Sequence, residues 1–272
     1  MQIVRTIGYG IACLQFPSLM GQAGVVHGVS GRTGGHSDGP FASLNLSYAV
    51  GDEPGRVAAN RDAFCRALGI DPGGVVCAQQ VHGSEVARVG RTEAGRGYAD
   101  RATALPGVDA LVADEPGVYL WLTFADCVPI LLFDPVHRAV GLAHAGWRGT
   151  VGHVAVRTVE AMAREFGTRP ADLLAAVGPA IGPCCYQVGP EVADAARRAF
   201  PDDPDVLWPD GAGGQRLDLP GANARLLARL GVPTERIELA DHGTACRTDL
   251  FYSHRAEGGR TGRLAAVIGI RP

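Results

Sequence analysis

Apolar residues recur along the chain with two periods, and the changes between them mark out its elements. From Val57 to Leu68, apolar positions at Val57, Ala58, Phe64, Ala67 and Leu68 suit one face of a helix, and Gly69 is a stop signal. Tyr119 to Phe133 is dense in Leu, Ile, Val, Phe, Trp and Thr but is interrupted by Ala125-Asp126-Cys127. Pro129 cannot donate to a strand ladder, so this stretch reads as two strand pieces with a turn or bulge at Asp126-Cys127. Arg138 to His144 is a further strand, and a helix runs from about Val151 to Phe166. Leu173 to Val177 is a short strand, Glu191 to Phe200 and Ala222 to Leu230 are helices, and Leu264 to Ile270 is a terminal strand. The stretches His27–Gly39, Arg91–Pro106 and Pro201–Gly214 read as loops. Strands and helices alternate irregularly. This predicts a mixed α/β (α+β) fold, a single layered domain over residues 1–272 with mixed sheets flanked by helices.

Composition narrows the function. Hydrophobic residues make up 46% and charged residues 19%, ordinary for a globular protein. A net charge of -3 argues against a nucleic-acid or anionic-membrane partner. No apolar run approaches the roughly 20 residues of a spanning helix. The stretch Met1 to Pro17 has a lone Arg5 and does not read as a signal peptide. The seven Cys are odd in number and contain no C-x-x-C, so a reduced, cytoplasmic setting is expected rather than a disulfide framework. All 25 basic residues are Arg. The absence of Lys excludes Schiff-base and P-loop chemistry and leaves anion recognition to the planar guanidinium fork.

Reactive residues gather where strands end and glycine-rich turns begin. His82, Cys127 and His144 offer two imidazoles and a thiol, a donor set that suits zinc or copper, with a fourth position open. The same residues also read without a metal, as a Cys127 nucleophile with His144 as its base. Asp126 is placed to shuttle a proton or to stabilise the turn. Arg32 and Arg148 are the first candidates for a phosphate or carboxylate, with Arg255 and Arg263 behind them. Trp147 would stack on a flat ligand or serve as a buried anchor.

In order along the chain, HGVSGRTGGHS from His27, QVHG from Gln80, ADC from Ala125, HAGWRG from His144, GPAIGP from Gly178, Cys185-Tyr186 and FYSHR from Phe251 form a set. This set resembles the laccase-domain family, formerly described as multicopper polyphenol oxidases and now regarded as zinc-dependent purine nucleoside phosphorylases. The resemblance runs from about Val26 to the C-terminus. It implies zinc held at the positions of His82, Cys127 and His144. It implies phosphorolysis of adenosine, inosine and methylthioadenosine, with hydrolytic deamination of adenosine. The implied partners are purine nucleosides and phosphate. A cysteine or zinc amidohydrolase that edits peptidoglycan precursors is the alternative the resemblance leaves. A copper oxidase ranks lower, because blue-copper sites usually carry an axial Met and neither Met1, Met20 nor Met162 lies in a motif. A non-enzymatic binding module fits poorly with Cys, His and Arg clustered at strand ends. Val29, Gly31, Gln187 and His254 depart from the family's usual residues and bear on substrate preference rather than on the metal.

Overall fold

The computed structural model describes residues 4–272; the first three residues of the stretch read above as lacking a signal peptide, Met1 included, lie outside the described residues. Among the described residues, strands form two large sheets and one small one. The first large sheet orders β1 (Val4–Ile7), β2 (Ile11–Leu14), β3 (Val25–Ser30), β16 (Leu264–Ile270), β8 (Tyr119–Phe124), β4 (Val75–Gln79) and β6 (Leu105–Pro106). The second orders β15 (Ile237–Leu239), β11 (Leu174–Val177), β9 (Val128–Asp134), β10 (Ala139–Ala145), β7 (Ala110–Ala113) and β5 (Val86–Arg88). The small sheet joins β12 (Gln187–Val188), β14 (Gln215–Leu217) and β13 (Leu207–Pro209). Both large sheets mix parallel and antiparallel pairs. The helices are α1 (Pro17–Met20), α2 (Pro54–Leu68), α3 (Trp147–Val151), α4 (Val154–Phe166), α5 (Pro190–Ala199) and α6 (Leu219–Arg229). The fold is mixed α+β, as the pattern predicts.

Side chains alternate across a strand, and the central strands are apolar on both faces because both faces are covered. Leu120, Leu122 and Phe124 of β8 share one core with Ile268 of β16, Phe133 of β9 and Leu142 of β10, so the two large sheets pack face to face. Trp121 and Val267 join Phe64 and Leu68 of α2 in a second core. Ile130 and Leu132 of β9 join Val159 and Met162 of α4 and Leu227 of α6 in a third. The layers therefore run helix, sheet, sheet, helix. Each fully buried Leu or Phe contributes about 1.5–3 kcal/mol through transfer from water.

Local signals explain the helix ends. The Glu53 carboxylate accepts from the N–H groups of Gly55 and Arg56, Pro54 occupies the first turn, and Gly69 closes α2 with φ +64°. The apolar periodicity locates this helix three residues late because its first turn, Pro-Gly-Arg, is not apolar. Where the pattern predicts one helix from about Val151, the chain forms α3 and α4, separated at Gly152-His153, with His153 at φ +59°. The stretch His27–Gly39 is not wholly a loop: residues 27–30 complete β3, with 27–29 paired to β16 and Ser30 to Cys13 of β2. Gly28 belongs there because a Cβ would lie 2.6 Å from Cys13 Sγ. The predicted loops at 91–106 and 201–214 likewise contain β6 and β13.

His27 is buried, and its Nε2 accepts from the Phe16 N–H at 2.8 Å, so the ring must be neutral. Burial pushes its pKa down to about 4, against a smaller opposing pull from the Glu238 carboxylate. The unfolded chain takes up this proton near its ordinary value of about 6.5 and the folded chain only near 4, so acid favours unfolding across that window. Denaturant unfolding of the protein is expected to lose roughly 3 kcal/mol from this group as pH falls from 6.5 to 4. His27→Gln should flatten that slope by about one proton. An identical pH slope in the variant contradicts the assignment.

Candidate active site

Three strand ends meet at one place. Strands β4 and β8 are parallel, so the segments after Gln79 and Phe124 leave the first sheet at the same end. Strand β10 ends at Ala145, paired with Val128 at the start of β9. The turn at 125–127 links β8 to β9, as the break before Pro129 predicts. These three segments bring His82, Cys127 and His144 together, with their ligating atoms all within 4.8 Å of one another. The two imidazole rings meet edge to face at 4.9 Å.

One carboxylate organises the set. Asp109, fully buried immediately before β7, accepts from the N–H groups of Val81 (3.1 Å), His82 (3.0 Å) and Gly83 (2.7 Å). This grip holds His82 at φ +61°, a left-handed conformation that non-glycine residues seldom adopt. Asp109 Oδ1 also lies 2.8 Å from His144 Nδ1. That contact fixes the ring and leaves Nε2 to face Cys127 and His82. Burial pushes the Asp109 carboxyl up, but its bonds to His144 and to the backbone N–H groups outweigh this and hold it below the usual carboxylate range.

The same balance acts on the other members. Burial pushes the Cys127 thiol up, but His144, and then His82, oppose it more strongly and bring it down to about 6. Burial pushes His144 down, yet Cys127 and Asp109 raise it to about 9. Cys127 is thus favoured as the thiolate at neutral pH, the form that binds metal or attacks a substrate. Two imidazoles, one thiolate, a carboxylate behind one ring and an open side toward solvent fit a catalytic zinc ion. Neither Met20 nor Met162 lines the site, so the axial thioether of a blue-copper centre has no counterpart among the described residues.

Gly146 shows how closely the set is packed. A Cβ there would lie 3.0 Å from Cys127 Sγ and 3.2 Å from His82 Cδ2. Gly146→Ala is expected to lower zinc affinity about tenfold by displacing these donors. Competition against a chromophoric chelator would measure it, and an unchanged affinity would show that the donors have room to move.

The triad opens into a cleft of about 420 Å³. Its walls carry Arg148, Arg255 and Arg263, together with Trp147, Tyr186 and His254. The Arg148 guanidinium lies over the Trp147 ring at 4.3 Å and that of Arg255 over the Tyr186 ring at 5.1 Å. Arg263 donates to the carbonyls of Thr261 (2.8 Å) and Gly262 (3.0 Å), and burial lowers its pKa.

Two expected site residues stand differently. Arg32 does not line the cleft. Its guanidinium donates to the carbonyls of Thr248 and Ala42, pairs with Glu257 at 3.0 Å and lies over the Tyr252 ring. These contacts tie the N-terminal loop to the C-terminal segment instead of presenting a free cation. Asp126 does line the cleft, but Thr244 Oγ1 (2.6 Å) and the Arg255 N–H (2.7 Å) each donate to one of its carboxylate oxygens. It ties its turn, at φ +82°, to two distant segments through long-range bonds, not through the local Asx bond expected of a turn.

Asp109 escaped the sequence reading, although an acid opening the run Val108-Asp-Ala-Leu-Val-Ala113 is a visible anomaly. Thr244 gave no signal, because its role depends on a contact 118 residues away.

Comparison with known proteins fits this geometry. Residues 26–271 match the family model described as multi-copper polyphenol oxidoreductase laccase. The chain belongs to this family. It is 45% identical over 250 residues to the purine nucleoside phosphorylase YlmD of Geobacillus stearothermophilus, covering 92% of this chain and 91% of that protein. The adenosine deaminase RL5, from an unknown prokaryotic organism, is 36% identical over 87% of this chain and 91% of its own. The crystal structure of YlmD from Geobacillus stearothermophilus superposes with a TM-score of 0.94 at 42% identity, covering all of both chains. No helix among the described residues is long and apolar enough to cross a membrane.

Proposed function

We propose that this chain, acting as a single domain, is a zinc-dependent purine nucleoside phosphorylase for adenosine, inosine and methylthioadenosine that also deaminates adenosine. The observation that carries the reading is the His82–Cys127–His144 set at the head of a cleft walled by three arginines. The names of the similar proteins, purine nucleoside phosphorylase and adenosine deaminase, support it.

His82, Cys127 and His144 would hold the zinc, which supplies a Lewis acid at the head of the cleft. Phosphorolysis transfers the sugar carbon from a purine nitrogen to a phosphate oxygen. The cleft must therefore hold a phosphate against the sugar and a flat base beside it. Arg148, Arg255 and Arg263 are the phosphate contacts, since their planar forks match its oxygens. The rings of Trp147 and Tyr186 offer faces for the purine. The cleft volume lies within the range of small-molecule sites, about 300–1,000 Å³. The seven unpaired thiols suit a reducing cytoplasm.

Incubation with adenosine and phosphate should yield adenine and ribose 1-phosphate, and incubation without phosphate should yield inosine. Absence of both products from protein with zinc at the His82–Cys127–His144 set would sink the proposal. The low Cys127 pKa beside His144 favours one second reading, a cysteine or zinc amidohydrolase acting on peptidoglycan precursors. Release of an amine from such a precursor, with nucleosides untouched, would select it.

A further inference from the structure

Three cysteines outside the described cleft chemistry meet at the surface. Cys184 Sγ lies 2.9 Å and Cys185 Sγ 3.1 Å from Cys246 Sγ, and all three sulfurs fall within 4.8 Å of one another. Cys184 and Cys246 are exposed and Cys185 half-buried, so an ion can reach them from solvent. The backbone brings them together independently of the sulfurs. Cys185 and Tyr186 close a turn by donating to the Gly182 carbonyl, while Ala180 and Gly243 form a parallel bridge that the Thr244 N–H extends to the Ala180 carbonyl. We propose that Cys184, Cys185 and Cys246 form a second metal site in this chain, for one thiophilic d10 cation such as Zn2+ or Cu+.

The donors decide the chemistry. Three sulfurs with no carboxylate or imidazole in the set select a soft cation and fit Mg2+ or Ca2+ poorly. Cys184 and Cys185 are adjacent in sequence, poor geometry for bridging each other, and a disulfide from Cys246 to either would leave the third thiol unused. A cation engages all three. Zn–S bonds of about 2.3 Å place sulfurs roughly 3.8 Å apart in a tetrahedron, so the thiols need to separate by only about 1 Å. The neighbouring thiols hold the Cys246 thiol up, to about 12, and the Cys185 thiol also lies above its ordinary value, so a bound cation would have to displace their protons. Water would complete a zinc site, whereas Cu+ is satisfied by three thiolates.

The bound ion would staple two segments that shape the cleft. The Ile181 N–H donates to the Asp126 carbonyl, Thr244 donates to the Asp126 carboxylate, and Tyr186 lines the cleft wall. The site stands on its own geometry, whatever reaction the cleft performs.

The test is a stoichiometry measurement. Reduced, metal-free protein is titrated anaerobically with Zn2+, and separately with Cu+, against a chromophoric chelator. With at least one of the two cations, the wild type is expected to bind two ions per chain, and Cys246→Ser, Cys184→Ser and Cys127→Ser one each. Circular dichroism confirms that each variant is folded; because Cys184 and Cys246 are both exposed, either variant alone suffices. Co2+ gives a second readout, since its thiolate charge-transfer band should shrink more in Cys246→Ser than in Cys127→Ser. A single wild-type ion lost in Cys246→Ser but kept in Cys127→Ser would support this site while counting against zinc in the cleft. A single ion for both cations, unaffected by Cys246→Ser and abolished by Cys127→Ser, would overturn the proposal, whether or not the surface thiols oxidise to a disulfide in air.

Discussion

Cys127→Ser is expected to remove cleft zinc and nucleoside chemistry together. Serine keeps the shape of the side chain but is not a thiolate at neutral pH, so the set loses its anionic donor while both imidazoles remain. Loss of a Lewis acid worth several kcal/mol of transition-state stabilisation corresponds to a fall in kcat/KM of about a thousandfold or more. Metal analysis and steady-state kinetics on the same preparation separate two roles for this residue. Zinc and activity lost together identify a ligand. Zinc fully retained with activity lost identifies a nucleophile, and that outcome favours the amidohydrolase reading.

Asp109→Asn should produce the second largest effect, by a different route. The carboxylate accepts from three consecutive N–H groups and lies against His144 Nδ1, yet it is fully buried. An amide has one acceptor oxygen, and its NH2 group would oppose donors that now point at oxygen. The folded state should lose about 3 kcal/mol in denaturant unfolding, as expected when a buried charge-assisted network loses a partner. Zinc affinity should fall about 10- to 100-fold, because His144 loses the acceptor that sets its tautomer. A purely structural Asp109 would lower stability without changing zinc affinity at temperatures where the variant is folded. Nitrogen NMR of the His144 ring adds a readout that destabilisation alone does not move.

Strands β8, β9 and β10 were legible because burial on both faces leaves them almost wholly apolar, whereas β4, which leads to His82, was not read as a strand. Leu264 to Ile270 is a strand over the residues its pattern predicts, and the break expected at Asp126-Cys127 does separate β8 from β9, although Pro129 itself lies inside β9. Short strands such as β5 and β6 were not, since two or three residues carry no period. The break at His153 was hidden because Val151 and Val154 flank it as they would in one continuous helix. Cys127, His82 and His144 were visible as reactive residues at strand ends, but their convergence depends on parallel pairing of β4 with β8, which no local pattern encodes. Arg32 looked like an anion ligand because glycines surround it, whereas Glu257 and the carbonyls that engage it lie far along the chain. The arginines that do line the cleft, Arg148, Arg255 and Arg263, share no common spacing in the sequence.

On the proposed function, the His82–Cys127–His144 set holds zinc beside a bound purine nucleoside. A crystal of zinc-replete protein soaked with adenosine, with diffraction recorded on both sides of the zinc absorption edge, tests it most directly. An anomalous peak bonded to His82, Cys127 and His144 is expected, with the nucleoside in the same cleft and its base against Trp147 or Tyr186. An occupied nucleoside site elsewhere, or a cleft triad without the zinc peak, would contradict it.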